Sequence, residues 1–344
     1  MSNERTLLVA TDGQAIMRSH DDGKSWYRVN VGQDLEYDDR VRCLLIDPAD
    51  PRAIFAGAER GLFRSEDCGA RWDRVDCALN DYSVWKLVAS ESDPSVLYAG
   101  TGSPTRSILF RSRDGGKTWE ATPLEMPERC AGVSRPRMLA LAVNPDDAND
   151  VIAGVEEGGC FRSRDGGDTW ERLDTAWEDH PGNSDIHDIV FLRGEPKVIL
   201  VLTVLALYRS TDDGKSWTRT IARESWGLRY SRCLQRKPGS DTDLTLGIGD
   251  GTPGTKASVL ISTDAGKSWT HTQLSMPANS CIWAFGGNDA DPEFLLTGTK
   301  FGNLYRSSDG GHNWQKEWRE FNEITDVTWV AGVPQNLELP HVTG

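Results

Sequence analysis

One phrase of nine residues occurs seven times along the 344-residue chain and limits the possible fold more than any other feature. It first reads Arg18-Ser19-His20-Asp21-Asp22-Gly23-Lys24-Ser25-Trp26, and it recurs ending at Trp72, Trp119, Trp170, Trp217, Trp269 and Trp314. Four of its positions are the same in every copy: Ser-x-Asp-x-Gly-x-x-Trp. Successive tryptophans are 46, 47, 51, 47, 52 and 45 residues apart, a period that marks repeated supersecondary units. The residue types have local reasons. An apolar residue ends one strand, and the Asp carboxylate accepts hydrogen bonds from turn amides. Gly supplies the positive φ of a tight hairpin. Trp opens the returning strand and packs its ring on the sheet. Each phrase therefore predicts a hairpin corner.

Short strands surround each corner. In the second unit Val41–Ile46, Ala53–Gly57, Gly61–Arg64 and Arg71–Val75 are separated by Gly, Asp and Pro clusters, the pattern of four-stranded propeller blades. The chain is read as all-β, a single seven-bladed β-propeller over 1–344. Blade 1 spans 6–30 plus 324–331, and blades 2 to 7 span 39–76, 83–122, 137–173, 185–221, 228–273 and 280–320. Blade 1 begins at its second strand, and Ile324–Ala331 is a surplus strand after the seventh unit. That strand is expected to complete blade 1 and close the ring, which removes exposed sheet edges.

Composition narrows the function. With 38 Lys+Arg against 52 Asp+Glu the net charge is −14, so neither nucleic acid nor an anionic membrane surface is an expected partner. No apolar run is long enough to span a bilayer, and the first residues lack a basic region followed by an apolar one. Seven cysteines without CxxC spacing suit reduced thiols, and a cytoplasmic location is expected. Six scattered histidines suggest no metal, and no glycine-rich phosphate loop or nucleophile elbow is present, so no cofactor is expected.

The repeat resembles the Asp box, or bacterial neuraminidase (BNR) repeat, and the resemblance covers essentially the whole chain. It implies similarity to BNR-like proteins of bacterial type described as sialidase-like or glycosyl-hydrolase-like. The same repeat occurs in sialidases, xyloglucan-degrading glycosidases, sortilin-type receptors and a photosystem II assembly factor, so it implies a fold rather than one activity. In proteins of this resemblance the Asp boxes lie on the face away from the active site. The chain departs from true sialidases, which are six-bladed and carry a Phe-Arg-Ile-Pro motif. The xyloglucan-degrading enzymes build a cleft between two propellers, where one is read here.

The candidate site comes from residues the repeat does not use. Six tryptophans remain: Trp85, Trp177, Trp226, Trp283, Trp318 and Trp329. Aligning the inner strands gives one ring of equivalent positions: Arg42, Trp85, Leu139, His187, Arg232, Trp283 and Thr328. Packing alone would make such a ring apolar, and the mouth of a closed β-fold is a common pocket. Neighbouring loops and approaches add Asp12, Arg40, Glu59, Arg60, Arg106, Arg137, Glu156 and Lys300. Arg42, Trp85, His187, Arg232, Trp283, Arg106, Arg137 and Lys300 are the expected ligand-binding residues. Their forked and ammonium donors suit a carboxylate or phosphate, so the expected partner is an anionic small molecule or a protein. The alternative is a hydrolase or lyase in which Glu59 or Glu156 works with His187 in acid–base chemistry.

Overall fold

The computed structural model describes residues 5–28, 32–177, 184–194 and 197–332. His180, His341, the end of blade 1 at 29–30 and the tail beyond 332 lie outside the described residues.

Seven sheets, antiparallel except for one added strand, follow one another around a ring. Blade 2 is representative: Val41–Ile46 is innermost, then Ile54–Ala58, Gly61–Ser65 and the outer Asp73–Arg74. Blade 1 is built from both ends of the chain. Ile324–Ala331 is its inner strand, paired antiparallel to Arg5–Thr11 from Arg5↔Ala331 to Thr11↔Ile324. The closing strand packs between the inner strands of blades 7 and 2, so every blade has its inner strand and the ring is closed.

The boxes act as corners. In blade 3 the Ser112 hydroxyl accepts from the Gly116 N–H at 2.9 Å, and Asp114 accepts the Thr118 N–H at 2.9 Å. Hydrogen bonds from Thr118, side chain first, hold the Asp114 carboxyl down at about 2. The Trp119 Nε1–H donates back to the Gly116 carbonyl at 3.0 Å. Gly116 sits at φ +83° after Gly115 at +72°, a left-handed pair that a hairpin this tight requires.

Blade-on-blade packing explains other glycines. Five of the seven second strands carry a glycine where the inner strand of the next blade crosses. A Cβ on Gly154 would stand 2.3 Å from Ile186, and one on Gly247 2.6 Å from Ile282.

Blade 7 departs from the four-stranded expectation. Gln273–Leu274, leaving blade 6, pairs in parallel with its outer strand Asn313–Glu320. The added strand covers an edge that would otherwise be free to pair. Helix is confined to Ala222–Trp226 and two short 3-10 turns among the described residues, and no described helix is long and apolar enough to cross a membrane.

Candidate functional site at the axial mouth

All seven inner strands carry the same irregularity. The pairing with the second strand slips by one residue at Arg42, Trp85, Leu139, His187, Arg232, Trp283 and Thr325. A bulge of this kind places two residues opposite one and re-aims a side chain. The residue before each bulge is fully buried: Val41, Val84, Met138, Ile186, Ser231, Ile282 and Ile324. The chain is thus anchored between blades, and its next side chain is released toward the axis. The seventh member corrects the sequence alignment. Thr328 pairs regularly with Leu8, and Thr325 is the bulged residue that reaches the cavity.

These side chains line one axial cavity of about 890 Å³. Arg42, Trp85, His187, Arg232, Trp283, Arg137, Lys300, Glu59 and Glu156 all border it. Arg106 does not; it is exposed on its loop. Of the six unassigned tryptophans only Trp85 and Trp283 reach the mouth. Trp177 stacks on Tyr208 at 4.5 Å, Trp226 meets Trp269 edge-on, and Trp329 meets Phe294 edge-on; all three are buried. Trp318 is exposed and donates to the Gly23 carbonyl at 2.8 Å.

Two cations lie over each mouth tryptophan. The guanidinium carbons of Arg42 and Arg137 are 4.5 and 4.8 Å from the Trp85 ring centroid. Arg232 and the Lys300 Nζ are 4.0 and 4.1 Å from that of Trp283. Cation–π attraction strengthens as such groups lose water.

Most charges at the mouth are paired within the protein. Arg42 donates to Asp12 at 2.7 Å, and Arg40 lies 3.1 Å from Asp12 and 3.6 Å from Glu59. Arg137 grips Glu156 with both arms of its fork, and Lys300 contacts Glu323. Arg232 is the exception. Its Nε is buried without a hydrogen-bond partner, and no carboxylate among the described residues stands within salt-bridge distance.

His187 is anchored through one ring nitrogen. Nδ1 lies 2.5 Å from the Ser231 carbonyl, which can only accept, so Nδ1 carries the proton. Nε2 faces Asp185 at 3.5 Å. Burial would raise the Asp185 carboxyl, but His187 and then Arg232 hold it below its ordinary value.

Deeper in the channel Lys86, which the sequence places on an approach to the mouth, meets two carboxylates that the sequence reading missed. Lys86 is 3.6 Å from Asp188, and Asp326 is charge-coupled to both. Burial pulls the lysine down, but Asp188 and Asp326 more than offset it and leave it raised. Burial pushes Asp326 up to about 6, against a hydrogen bond from the Leu44 N–H and the field of Lys86. Asp188 and Asp326 play one part in different blades, accepting the N–H of Leu234 and of Leu44 from the next blade. They occupy the position just after the bulge, and correct placement of Thr325 would have exposed that second ring. Among the described residues no cluster of three or more His, Cys, Asp or Glu could hold a metal.

Comparison with known proteins agrees with the corner geometry. A family profile described as photosynthesis system II assembly factor YCF48, a BNR-repeat family, matches residues 99–240. The GH74 xyloglucanase of Xanthomonas campestris superposes with a TM-score of 0.59 at 23% identity, covering 80% of this chain and 45% of that one. The chain is a seven-bladed propeller built on a BNR-type repeat. YCF48 from Cyanidioschyzon merolae shares the propeller's fold at a TM-score of 0.58 and 16% identity, covering 86% of this chain and 88% of that one. In sequence, the propeller is 27% identical to a xyloglucanase of a Paenibacillus species over 92% of its own length and 30% of the relative's. It is 24% identical to the photosystem II assembly lipoprotein Ycf48 of a Synechococcus strain, over 85% of its own length and 78% of the relative's. The propeller therefore spans about a third of the length of the xyloglucanase that it matches.

Proposed function

We propose that this propeller is a non-catalytic binding protein that holds a carboxylate-bearing group, on a small molecule or a protein partner, at its axial mouth. The observation that carries the reading is Arg232, a stacked, partly buried guanidinium with no carboxylate of its own. Leaving such a group unpaired is costly, and an exogenous carboxylate would satisfy both arms of its fork. The state of the acid–base candidates supports binding over hydrolysis. Glu59 and Glu156 are paired with arginines, and His187 is anchored through Nδ1. The YCF48 structure solved with D1 peptide is a precedent for a protein partner on such a fold; the ligand class comes from Arg232. Seven free cysteines support a reducing, cytoplasmic setting.

The hydrolase reading is favoured by the sequence relationship to xyloglucanases and is tested alongside. Titration with small carboxylates, followed by tryptophan fluorescence, should show saturable binding that falls about tenfold or more in Arg232→Gln, the loss of one charge-assisted pair. Unchanged affinity in that variant refutes the anion-binding reading. Glycoside hydrolysis that is lost in Glu59→Gln or Glu156→Gln would establish the enzyme instead.

A further inference from the structure

The mouth contains an amine placed for covalent chemistry. Lys300, between the second and third strands of blade 7, directs Nζ at the Trp283 ring, and only 19% of its side chain is exposed. Arg232 addresses the same ring, and each head lies about 4 Å from one centroid, so the two are within about 8 Å of each other. Burial first, and then the charge of Arg232, bring the Lys300 ammonium down to about 8. A lysine desolvated beside another cation becomes a nucleophile near neutral pH. Glu323 touches Nζ and gives its proton an acceptor. The nearby Cys281 thiol is buried and pushed up to about 11, so it does not compete as nucleophile.

We propose that Lys300 condenses reversibly with the carbonyl carbon of a short oxo acid whose carboxylate is held by Arg232, an inference that rests on the anion-binding reading above. Arg232 supplies the carboxylate site, and Lys300 lies close enough that a carbonyl next to that carboxylate comes within its reach. Glu323 takes one proton from the ammonium, and the freed Nζ electron pair forms a bond to the carbonyl carbon. The carbonyl π pair moves to oxygen, which takes the second nitrogen proton, giving a neutral carbinolamine. Protonated Glu323 then returns its proton to the hydroxyl, which leaves as water while nitrogen forms the second bond to carbon. The resulting iminium loses its N–H proton to Glu323 and regains it for hydrolysis. One C=O and one amine become one C=N and one water, and nothing is oxidised or reduced.

The test uses the full chain with pyruvate and cyanoborohydride at a pH of about 8, where the amine is half free, followed by peptide mapping. One reduced adduct should form at Lys300 well ahead of the surface lysines. Lys300→Arg, which keeps a cation facing Glu323, should abolish it, and Arg232→Gln should slow it about tenfold. Hydroxyacetone, a ketone without a carboxylate, should react as slowly as pyruvate does with Arg232→Gln. An absent adduct, or one no faster than at surface lysines, overturns the proposal. Lactate, a carboxylate without a ketone, separates the two readings. If lactate binds through Arg232 while pyruvate is not trapped, the lysine chemistry fails and the anion site stands. If Lys300 traps hydroxyacetone as fast as pyruvate and lactate does not bind, the anion site fails, and the Arg232-guided proposal with it.

Discussion

Removing the closing strand tests whether the ring is one cooperative unit. Ile324, Val327, Trp329 and Val330 are each no more than 2% exposed. Burying a large apolar side chain contributes about 1.5–3 kcal/mol, so these four supply roughly 6–12 kcal/mol before main-chain pairing is counted. A whole domain is stable by only about 5–15 kcal/mol. A chain ending at Glu323 should therefore show no cooperative urea transition, and its unpaired Arg5–Thr11 edge should promote aggregation. A graded version keeps the strand and removes one side chain. Trp329 stands edge-on to Phe294 with centroids 5.6 Å apart and donates to the Phe294 carbonyl at 3.1 Å. Trp329→Ala should cost about 3–5 kcal/mol, as large aromatic truncations do. It should lower the urea midpoint without changing the slope. A truncated chain that unfolds like the intact one, or a Trp329→Ala loss below about 1 kcal/mol, would refute closure by this strand, since a core tryptophan must cost more.

Trp119→Ala should also cost about 3–5 kcal/mol in urea denaturation, while the folded protein keeps its affinity for carboxylates; a variant of full stability without binding would overturn the corner role of the box. Asp326 makes stability depend on pH in a definite direction. Its native carboxyl titrates at about 6 against an ordinary 3.8, so the folded state holds the proton more tightly. Stability contributed at low pH is lost as pH rises through the native value. Asp326→Asn should therefore gain on the natural protein by up to about 3 kcal/mol between pH 4 and 7, read from paired urea melts, and a pH-independent difference would contradict the assignment.

The fold was legible because the box writes its own local chemistry seven times, and the surplus strand Ile324–Ala331 told where the ring closes. The site was legible in types and less so in partners. Arg42, Trp85, His187, Arg232 and Trp283 border one cavity, but the carboxylates that occupy Arg42 and Lys300 come from Asp12 and Glu323 on neighbouring blades. No spacing rule reveals contacts between loops of different blades. Thr325 was missed for another reason. A bulge shifts alignment by one residue, and it is visible only once the pairing is known. Trp177, Trp226 and Trp329 looked like site residues because their partners, Tyr208, Trp269 and Phe294, are remote in the unaligned chain.

The repeated bulge also bears on how such a ring can change over time. A residue in a regular ladder answers to its neighbours on both strands, whereas a bulged residue is released from that register. Seven such positions, one per blade, form a dial whose settings turn independently of the frame that carries them, because the buried residue before each bulge holds the backbone in place. Substitutions at Arg42, Trp85, Leu139, His187, Arg232, Trp283 and Thr325 can thus change the lining of the mouth at little cost to the blades. One inheritance of corners and closing strand is then compatible with many linings, and drift at the mouth needs no drift in fold.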